Sequence, residues 1–446
     1  MQSSQVSKLF DEFYQEHGFS PLPGSSLLHP SVPMSFVMSA GLVQIESILN
    51  GVDHLEGHQY TLTQKCFRYF DVSQVGYRNA HLSLFEMPGA FYFTNNGKAT
   101  TIERMWQLVT QVLDVPAERL WVTYFTGGRV AGHTLEADQE TYQTWLRLGL
   151  PPARLIGLGP DDNFWKQGGG IDGQEQYRKA GPNTEIFFDR GEQYSCGPTC
   201  RPGCSCGRFV EFANSLFVYN EIDKSTHQMR PLSTPFVETV IGAERLAMIL
   251  QQKDSVFEIE AMVPLVNLVR QVYQPDNIHT QIPNLSENII ADHLRALVFL
   301  ASDGAPPPGK DGRQRLVKIL VRKILTHELL LNINSPAYRL HLAQIVAAQY
   351  CLFIDLFLDT FTGYFQQETL RFQQTLENGL RQFHQLIRCN KGDTLSGHQM
   401  VRLEKQFGVP IEIIEWQLRI VGLPFFNTEY EIALAHWRGL LVETNC

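Results

Sequence analysis

The strongest constraint on how this chain can fold is charge set inside apolar sequence. It is clearest in Phe236-Val-Glu-Thr-Val-Ile-Gly-Ala-Glu-Arg-Leu-Ala-Met-Ile-Leu250, and recurs in Leu62-Thr-Gln-Lys-Cys-Phe-Arg68 and His81-Leu-Ser-Leu-Phe-Glu-Met87. Segments this apolar are destined for a core, and a charge carried into a core is costly unless it meets a partner or a ligand. Arg68 and Arg245 are the two arginines so placed. A guanidinium is permanently charged and presents a planar fork to phosphate oxygens, so the pair points to a polyphosphate site.

The rest of the chain fits a two-domain protein with more than one core: 446 residues, 43% of them hydrophobic. Residues 1 to about 250 mix short apolar runs such as Ile186-Phe-Phe188 and Leu216-Phe-Val-Tyr219 with amphipathic stretches such as Ile102 to Leu113, which reads as α+β. From Glu258 onward the pattern is helical, broken by the Pro/Gly loop Ala305-Pro-Pro-Pro-Gly-Lys-Asp-Gly312, so the expected domains are 1–252 and 253–446. No membrane span is expected. The most apolar stretch, Tyr350 to Phe365, is interrupted by Asp355 and Asp359 and reads as a packed helix. The start has no apolar signal core, which makes the cytoplasm the expected location. The run Gly168-Gly-Gly-Ile-Asp-Gly173 lacks the lysine and serine of a P-loop and reads as a loop.

A formal charge of −9 argues against nucleic-acid binding over the whole surface, so any RNA contact must be local. One helix offers a patch. In Gly312 to Leu325, Arg315, Lys318 and Arg322 recur at spacings of three and four, opposite Val317, Leu320 and Ile324. Such a face can track a phosphate backbone or simply be solvated. A second cluster is Cys196-Gly-Pro-Thr-Cys200-Arg-Pro-Gly-Cys204-Ser-Cys206. Four thiols among turn-forming residues suit one tetrahedral Zn²⁺; free thiols and disulfides are the alternatives.

The arginine-bearing segments resemble motifs 2 and 3 of class II aminoacyl-tRNA synthetases, in the alanyl branch. Ser25-Ser-Leu-Leu-His-Pro-Ser-Val-Pro33 with Ser39-Ala-Gly41 resembles motif 1, and Asp162-Asn-Phe-Trp165, Gly181-Pro-Asn-Thr-Glu-Ile-Phe-Phe-Asp189, Ala291-Asp-His-Leu-Arg295, Gly392-Asp-Thr-Leu395 and Gly408-Val-Pro410 follow in the family's order. Short motifs are weak singly, but so many in order cover nearly the whole chain. The resemblance implies an antiparallel-sheet catalytic domain followed by an all-α, tRNA-recognition-like domain. It implies a ligase of protein biosynthesis that uses ATP and Mg²⁺ to form the adenylate of a small amino acid, alanine first, and transfers it to tRNA.

By the same resemblance Arg68 holds the α-phosphate and the reacting carboxylate, and Arg245 the distal phosphate. Phe85 stacks on adenine or is a core residue, and Glu211 and Asn214 hold magnesium or ribose or are structural. Trp165 walls the amino-acid pocket. Glu238 stands in place of an aspartate that binds the substrate ammonium, and Val240 in place of a glycine, so both add volume to that pocket; glycine is the other candidate substrate. The helix carrying Arg313, Arg315, Lys318 and Arg322 resembles the one that meets the tRNA acceptor stem, and His81 is expected as a polar site residue on the motif 2 strand.

Several positions depart from the pattern. The motif 2 loop, Tyr69 to Val75, is short. Gly309 and Lys405 stand where the resemblance has the asparagine and aspartate that read a G:U base pair. The sequence stops at Cys446, before the editing and C-terminal domains that the resemblance implies, so proofreading in cis is not expected. Three readings follow: a compact tRNA ligase, a paralogue that hands the amino acid to a carrier-protein thiol or a peptide, and a non-catalytic binding module. Oligomeric state is not legible.

Overall fold

The computed structural model describes residues 1–49, 58–167, 177–273, 283–390 and 393–439. The glycine-rich run from Gly168 to Gly173, and Gly392, lie outside the described residues. The chain forms two units, Met1–Pro264 with Asp311–Arg313, and Leu265–Lys310 with Gln314–Cys446. The first unit extends past Gln252 because Val256 and Phe257 are buried in it and the Val256 amide donates to Asn79 O at 2.8 Å.

The strands of the first unit are β1 (Ser20–Pro21), β2 (Gln59–Phe67), β3 (Leu84–Phe93), β4 (Leu120–Phe125), β5 (Gly128–Val130), β6 (His133–Leu135), β7 (Leu155–Leu158), β8 (Phe164–Lys166), β9 (Tyr177–Asp189), β10 (Phe209–Asp223) and β11 (Met229–Ile241). Its main sheet runs β1-β2-β3-β11-β10-β9-β4-β7, with β8 added on β9. The middle of the sheet is antiparallel, as expected. Its edges are not: β1–β2 and β4–β7 are parallel pairs, which makes the sheet mixed. The apolar runs that marked the sequence are its centre. Phe236 to Ile241 is buried at every position, so β11 is covered on both faces and its charge, Glu238, is buried with it. Helix α1 (Ser3–Glu16) buries Val6, Phe10, Phe13 and Tyr14 at helical spacing, one apolar stripe of an amphipathic helix.

Gly181 on β9 is required by backbone crowding. A Cβ there would lie 1.8 Å from Phe217 O on β10, beside a break in the β9–β10 register between Leu216 and Asn220.

After α2 (Leu42–Leu49), α3 (Lys98–Gln107), α4 (Gln139–Arg147) and α5 (Ala243–Leu250), the remaining regular structure is helical: α6 (Val263–Gln271), α7 (Pro283–Ser302), α8 (Gly312–Leu330), α9 (Ala337–Gln349), α10 (Leu358–Cys389), α11 (Gly397–Lys405), α12 (Ile411–Ile420) and α13 (Asn427–Trp437). The single helix expected over Tyr350 to Phe365 is broken. Cys351 has φ 53°, a short 3₁₀ turn covers Ile354–Leu356, and Phe353 and Leu356 are 79% and 83% exposed. Asp355 lies in the connection between α9 and α10, and Asp359 in the first turn of α10. Among the described residues no helix is long and apolar enough to cross a membrane.

Gly181→Ala should destabilise the first unit by at least about 1–3 kcal/mol, because the clash is with backbone that cannot rotate away. Gly159→Ala, where no atom lies within 4 Å of the added carbon, should be close to neutral. Guanidinium unfolding of both variants checks the contrast; equal midpoints would exclude the crowding described.

Candidate active site

One cavity of about 210 Å³ in the first unit is lined by all eight residues that the sequence assigns to ATP and amino acid: Arg68, Phe85, Trp165, Glu211, Asn214, Glu238, Val240 and Arg245. Topology brings them together. Glu238 and Val240, two apart on β11, share one face of the strand; Phe85 and Met87 do the same on neighbouring β3. Arg68 follows the last residue of β2, and Arg245 sits in the first turn of α5, directly after β11. Trp165 enters from the short strand β8.

Glu211 and Asn214 are three apart on β10, a spacing that normally sends side chains to opposite faces. The β9–β10 register shifts between Glu211 and Ala213, where Glu211 faces Phe187 and Ala213 faces Ile186. That extra residue is a bulge, and it lets both polar side chains reach the same cavity.

Both arginines are aimed by backbone carbonyls. Arg68 Nε donates to Met38 O at 3.0 Å, and its guanidinium carbon lies 4.9 Å from the centre of the Phe85 ring. No carboxylate lies within ion-pair distance of Arg68 among the described residues. Phe85 is therefore a site residue through its contact with Arg68, whatever else it stacks on. Arg245 Nε donates to Ala80 O at 2.9 Å, and its Nη1 reaches Glu211 O at 3.2 Å and Glu211 Oε2 at 3.5 Å. Arg245 is thus partly engaged in the ion pair that its sequence context allowed, but that pair is half exposed at the cavity wall rather than sealed in the core.

Glu238 is the most exacting group present. It is 3% exposed, and its carboxylate has no hydrogen-bond partner among the described residues. Burial pushes its pKa up to about 8, with Arg68 the one charge drawing it down. A buried, unpartnered acid on a cavity wall is a receptor for a cation.

Sequence reasoning missed Glu185, inside the quoted segment Gly181 to Asp189 but not singled out there. It is half-buried on β9 and paired in register with Asn214. Its carboxylate accepts from Thr123 Oγ1 at 3.1 Å, Asn183 Nδ2 at 3.3 Å and Asn214 Nδ2 at 3.4 Å. Burial and then the nearby charges of Glu211 and Asp162 raise its pKa well above the ordinary carboxylate range. The signal available was a glutamate alternating with apolar residues in a strand. Glu244 is a second missed acid: it lines the cavity, but its carboxylate accepts the Glu86 amide at 3.0 Å and so also holds α5 to β3.

His81 is not on a strand. It lies in the loop before β3, where burial and the positive charges of Arg245, Arg78 and Arg68 hold its pKa down to about 4, so it is neutral near pH 7.

The RNA-side residues fall outside this cavity, and two of the four basic ones are already engaged. Arg313 belongs to the first unit, where its guanidinium donates to the carbonyl oxygens of Ser35, Val32 and His29. Arg322 Nε bonds Glu368 Oε1 on α10 at 2.6 Å. Neither a phosphate-facing stripe nor a fully solvated face describes α8, because Arg322 is spent on holding a neighbouring helix. Arg315 is exposed, and Lys318 has its pKa lowered by burial and then by Arg322, Arg315 and Lys310, the signature of crowded positive charge. Lys405 Nζ pairs with Glu404 at 2.8 Å. At Gly309 a Cβ would lie 2.1 Å from Gln314 Oε1 and 2.8 Å from Gln314 Cβ, so no side chain fits there unless Gln314 moves.

The family profile described as tRNA synthetases class II (A) matches residues 5–428. Relatives include the alanine–tRNA ligases of Thermoanaerobacter sp. (strain X514), 31% identical over 94% of this chain and 46% of its own length, and of Elusimicrobium minutum (strain Pei191), 32% identical over 97% and 48%. The chain spans about half the length of the curated relatives it matches. Among solved structures, apo histidyl-tRNA synthetase of S. aureus is 13% identical over 60% of this chain and 75% of that one, with a TM-score of 0.34.

Glu238 gives a pH test that is independent of any substrate. Below about pH 4.5 it is protonated in folded and unfolded chain alike. Above that the unfolded chain ionises while the folded chain keeps its proton, so stability falls as pH rises from 4.5 to about 8, by about 1.4 kcal/mol per pKa unit of separation. Glu238→Gln should remove this fall. Denaturant unfolding at pH 5 and pH 8.5 checks it, and a parallel decline in both proteins would rule out the burial argument.

Proposed function

The chain belongs to the class II (A) tRNA synthetase family, and from that premise we propose that it activates alanine with ATP and passes the alanyl group to tRNA. The observation that carries the activation step is the meeting, on one cavity, of two aimed arginines and a buried, unpartnered glutamate. An amino acid offers an ammonium to Glu238 and a carboxylate toward Arg68. Its carboxylate oxygen attacks the α-phosphorus of ATP in line, the bond from that phosphorus to the α,β-bridging oxygen breaks, and pyrophosphate leaves. Arg68 neutralises charge on the α-phosphate and the attacking carboxylate, and Arg245 on the departing phosphates. Little covalent work falls to the protein; orientation and charge stabilisation supply the rate.

A hard-oxygen set of Glu211 and Glu185 with the Asn214 amide fits Mg²⁺, because burial and then the neighbouring charge of Glu211 raise the Glu185 pKa, a cost that a cation between the two carboxylates would relieve. Magnesium there would supply charge neutralisation to the phosphate oxygens. Neutral His81 adds no positive charge between the arginines.

The pocket keeps the substrate small. Val240, Met87 and Trp165 line it with Glu238, and Val240 and Met87 pack with Ala40 and Cys66 into one apolar cluster. Alanine is the reading supported by the names of the relatives; glycine is the competitor to be measured, since one methylene is worth only about 1–3 kcal/mol of discrimination. On the acceptor side, Arg315 and Lys318 would bind the backbone of an acceptor stem without reading its bases.

Amino-acid-dependent exchange of pyrophosphate into ATP should be fastest with alanine. Arg68→Ala and Arg245→Ala should each lose about 2–4 kcal/mol of transition-state stabilisation, roughly 10²–10³ in rate. Exchange that survives both substitutions would overturn the phosphate-binding roles of the two arginines. For the acceptor, Gly309 and Lys405 leave the two base-reading positions without the expected donors and acceptors. The protein should charge a tRNA bearing an acceptor-stem G:U pair and its G:C counterpart within about fivefold of one another, below the roughly 1–3 kcal/mol typical of a base-specific contact. Strong rejection of the G:C form would show that another residue reads the pair, and charging of neither form would remove tRNA as the acceptor.

A further inference from the structure

We propose that Cys196, Cys200, Cys204 and Cys206 hold one structural Zn²⁺ that closes the turn joining β9 to β10. The sulfurs of Cys196, Cys200 and Cys204 all lie within 4.8 Å of one another, and Cys206 Sγ is 3.5 Å from Cys200 Sγ. Four thiolates arranged tetrahedrally at the Zn–S distance of about 2.3 Å stand about 3.8 Å apart, so the three mutually close sulfurs fit around one ion and Cys206, beside Cys200, is placed to supply the fourth by a further closing of the turn. A multi-iron cluster, whose sulfur ligands surround a larger body, needs a wider spread.

The backbone is already folded as a thiolate site requires. Gly197, Gly203 and Gly207 have φ of 137°, 93° and 84°, conformations that other residues rarely adopt; the first two turn the chain between successive cysteines and the third turns it directly after Cys206. Cys200 N donates to Gly197 O and Cys204 N to Arg201 O, each closing a tight turn at 3.0 Å. The Arg201 amide points at Cys204 Sγ at 3.5 Å, a second-layer bond that favours thiolate over thiol.

Beyond its local turn hydrogen bonds and the Arg190 Nη1 bond to Gly207 O, the loop has almost no apolar packing to hold this shape. From Cys196 to Gly207 only Pro202 is buried, and all four cysteines are free. Twelve residues with one buried side chain cannot offset their ordering entropy by packing. What does hold the ends is an ion pair: Arg208 grips Asp189 through Nε–Oδ1 at 2.8 Å and Nη2–Oδ2 at 2.9 Å, and Arg208 Nη1 meets Glu192 at 2.8 Å. The zinc would fix the tip of the hairpin whose base this clamp fixes. Binding replaces four thiol protons, which leave to solvent; no electron moves, and the site carries a net charge of −2 beside Arg201 and Arg208. The consequence for the cavity is positional, since Glu211 lies five residues beyond Cys206 on β10.

The test is independent of catalysis, so its outcome and that of the proposed function are separable. The protein should be purified without added metal and without a metal-affinity column, then assayed by elemental analysis, with about one zinc per chain expected. Mercurial titration should release that zinc in step with four thiols. Cys200→Ser and Cys204→Ser should each lower zinc retention against a competing chelator by at least tenfold. Should those variants fail to fold, cobalt substitution of the wild-type protein should give the intense absorption of tetrahedral thiolate coordination. Folded protein without zinc whose four thiols react freely, a disulfide among these cysteines, iron in place of zinc, or full zinc retention in the variants would each overturn the assignment.

Discussion

The site depends on the desolvation of charge in a sheet. A carboxylate or guanidinium taken into a low-dielectric interior costs several kcal/mol unless its bonding capacity is met. The two arginines meet that cost with the carbonyl oxygens of Met38 and Ala80, which fix the Nε end of each fork and so aim the rest of the guanidinium. Glu238 does not meet it within the protein and holds a proton instead. The difference gives the cavity two kinds of wall: the arginines carry their charge throughout the neutral range, whereas Glu238 is mostly protonated below about pH 8. On the proposed function, capture of an ammonium by Glu238 would entail loss of its proton near neutral pH, which would couple amino-acid binding to pH.

The second constraint is geometric. A pleated strand offers alternate residues to one face, and Glu238 with Val240 on β11, and Phe85 with Met87 on β3, obey it. Glu211 and Asn214 reach the cavity only through the irregularity in β10, and the close approach of Gly181 to Phe217 accompanies a second irregularity in the same strand pair. Bulges are costly for a ladder, and the two here fall on the strands that line the site. The same hairpin carries the thiol turn at one end. Its strands are among the longest of the sheet, 13 and 15 residues, and the ion pair of Arg208 with Asp189 ties them where they enter the turn.

How much of this was legible follows from which physics leaves a trace in sequence. Arg68, Arg245 and Glu238 were legible because a charge in an apolar run is a violation of patterning, and violations concentrate at function. The fold class was legible from the change of periodicity after the first 250 residues. The parallel edges of the sheet were not, because pairing direction is set by how the chain returns and not by the composition of a strand. Glu185 was hidden by its own neighbours: a single glutamate between Thr184 and Ile186 reads as the solvent side of a strand, and only the sheet shows that side to be interior. The broken helix at Tyr350 to Phe365 escaped for a similar reason, since an apolar run has no period of its own and the break lies in backbone angles at Cys351.

The basic residues of α8 show the limit of reading charge by helical face. Arg322, Lys318 and Arg315 lie on one stripe, but a stripe says nothing about what packs on it. Arg322 meets Glu368 and Lys323 meets Glu412, so part of the helix's positive charge is consumed in ties to α10 and α12. Such pairs position helices more than they stabilise them. Towards the N-terminal end of the helix the Lys318 pKa is lowered by its burial first and then by Arg322, with Glu368 opposing and Arg315 and Lys310 adding smaller repulsions. A phosphate backbone would relieve these repulsions, and would do so without regard to base sequence. Just before the helix, a side chain at Gly309 would need Gln314 to move, so this position offers no side-chain donor or acceptor.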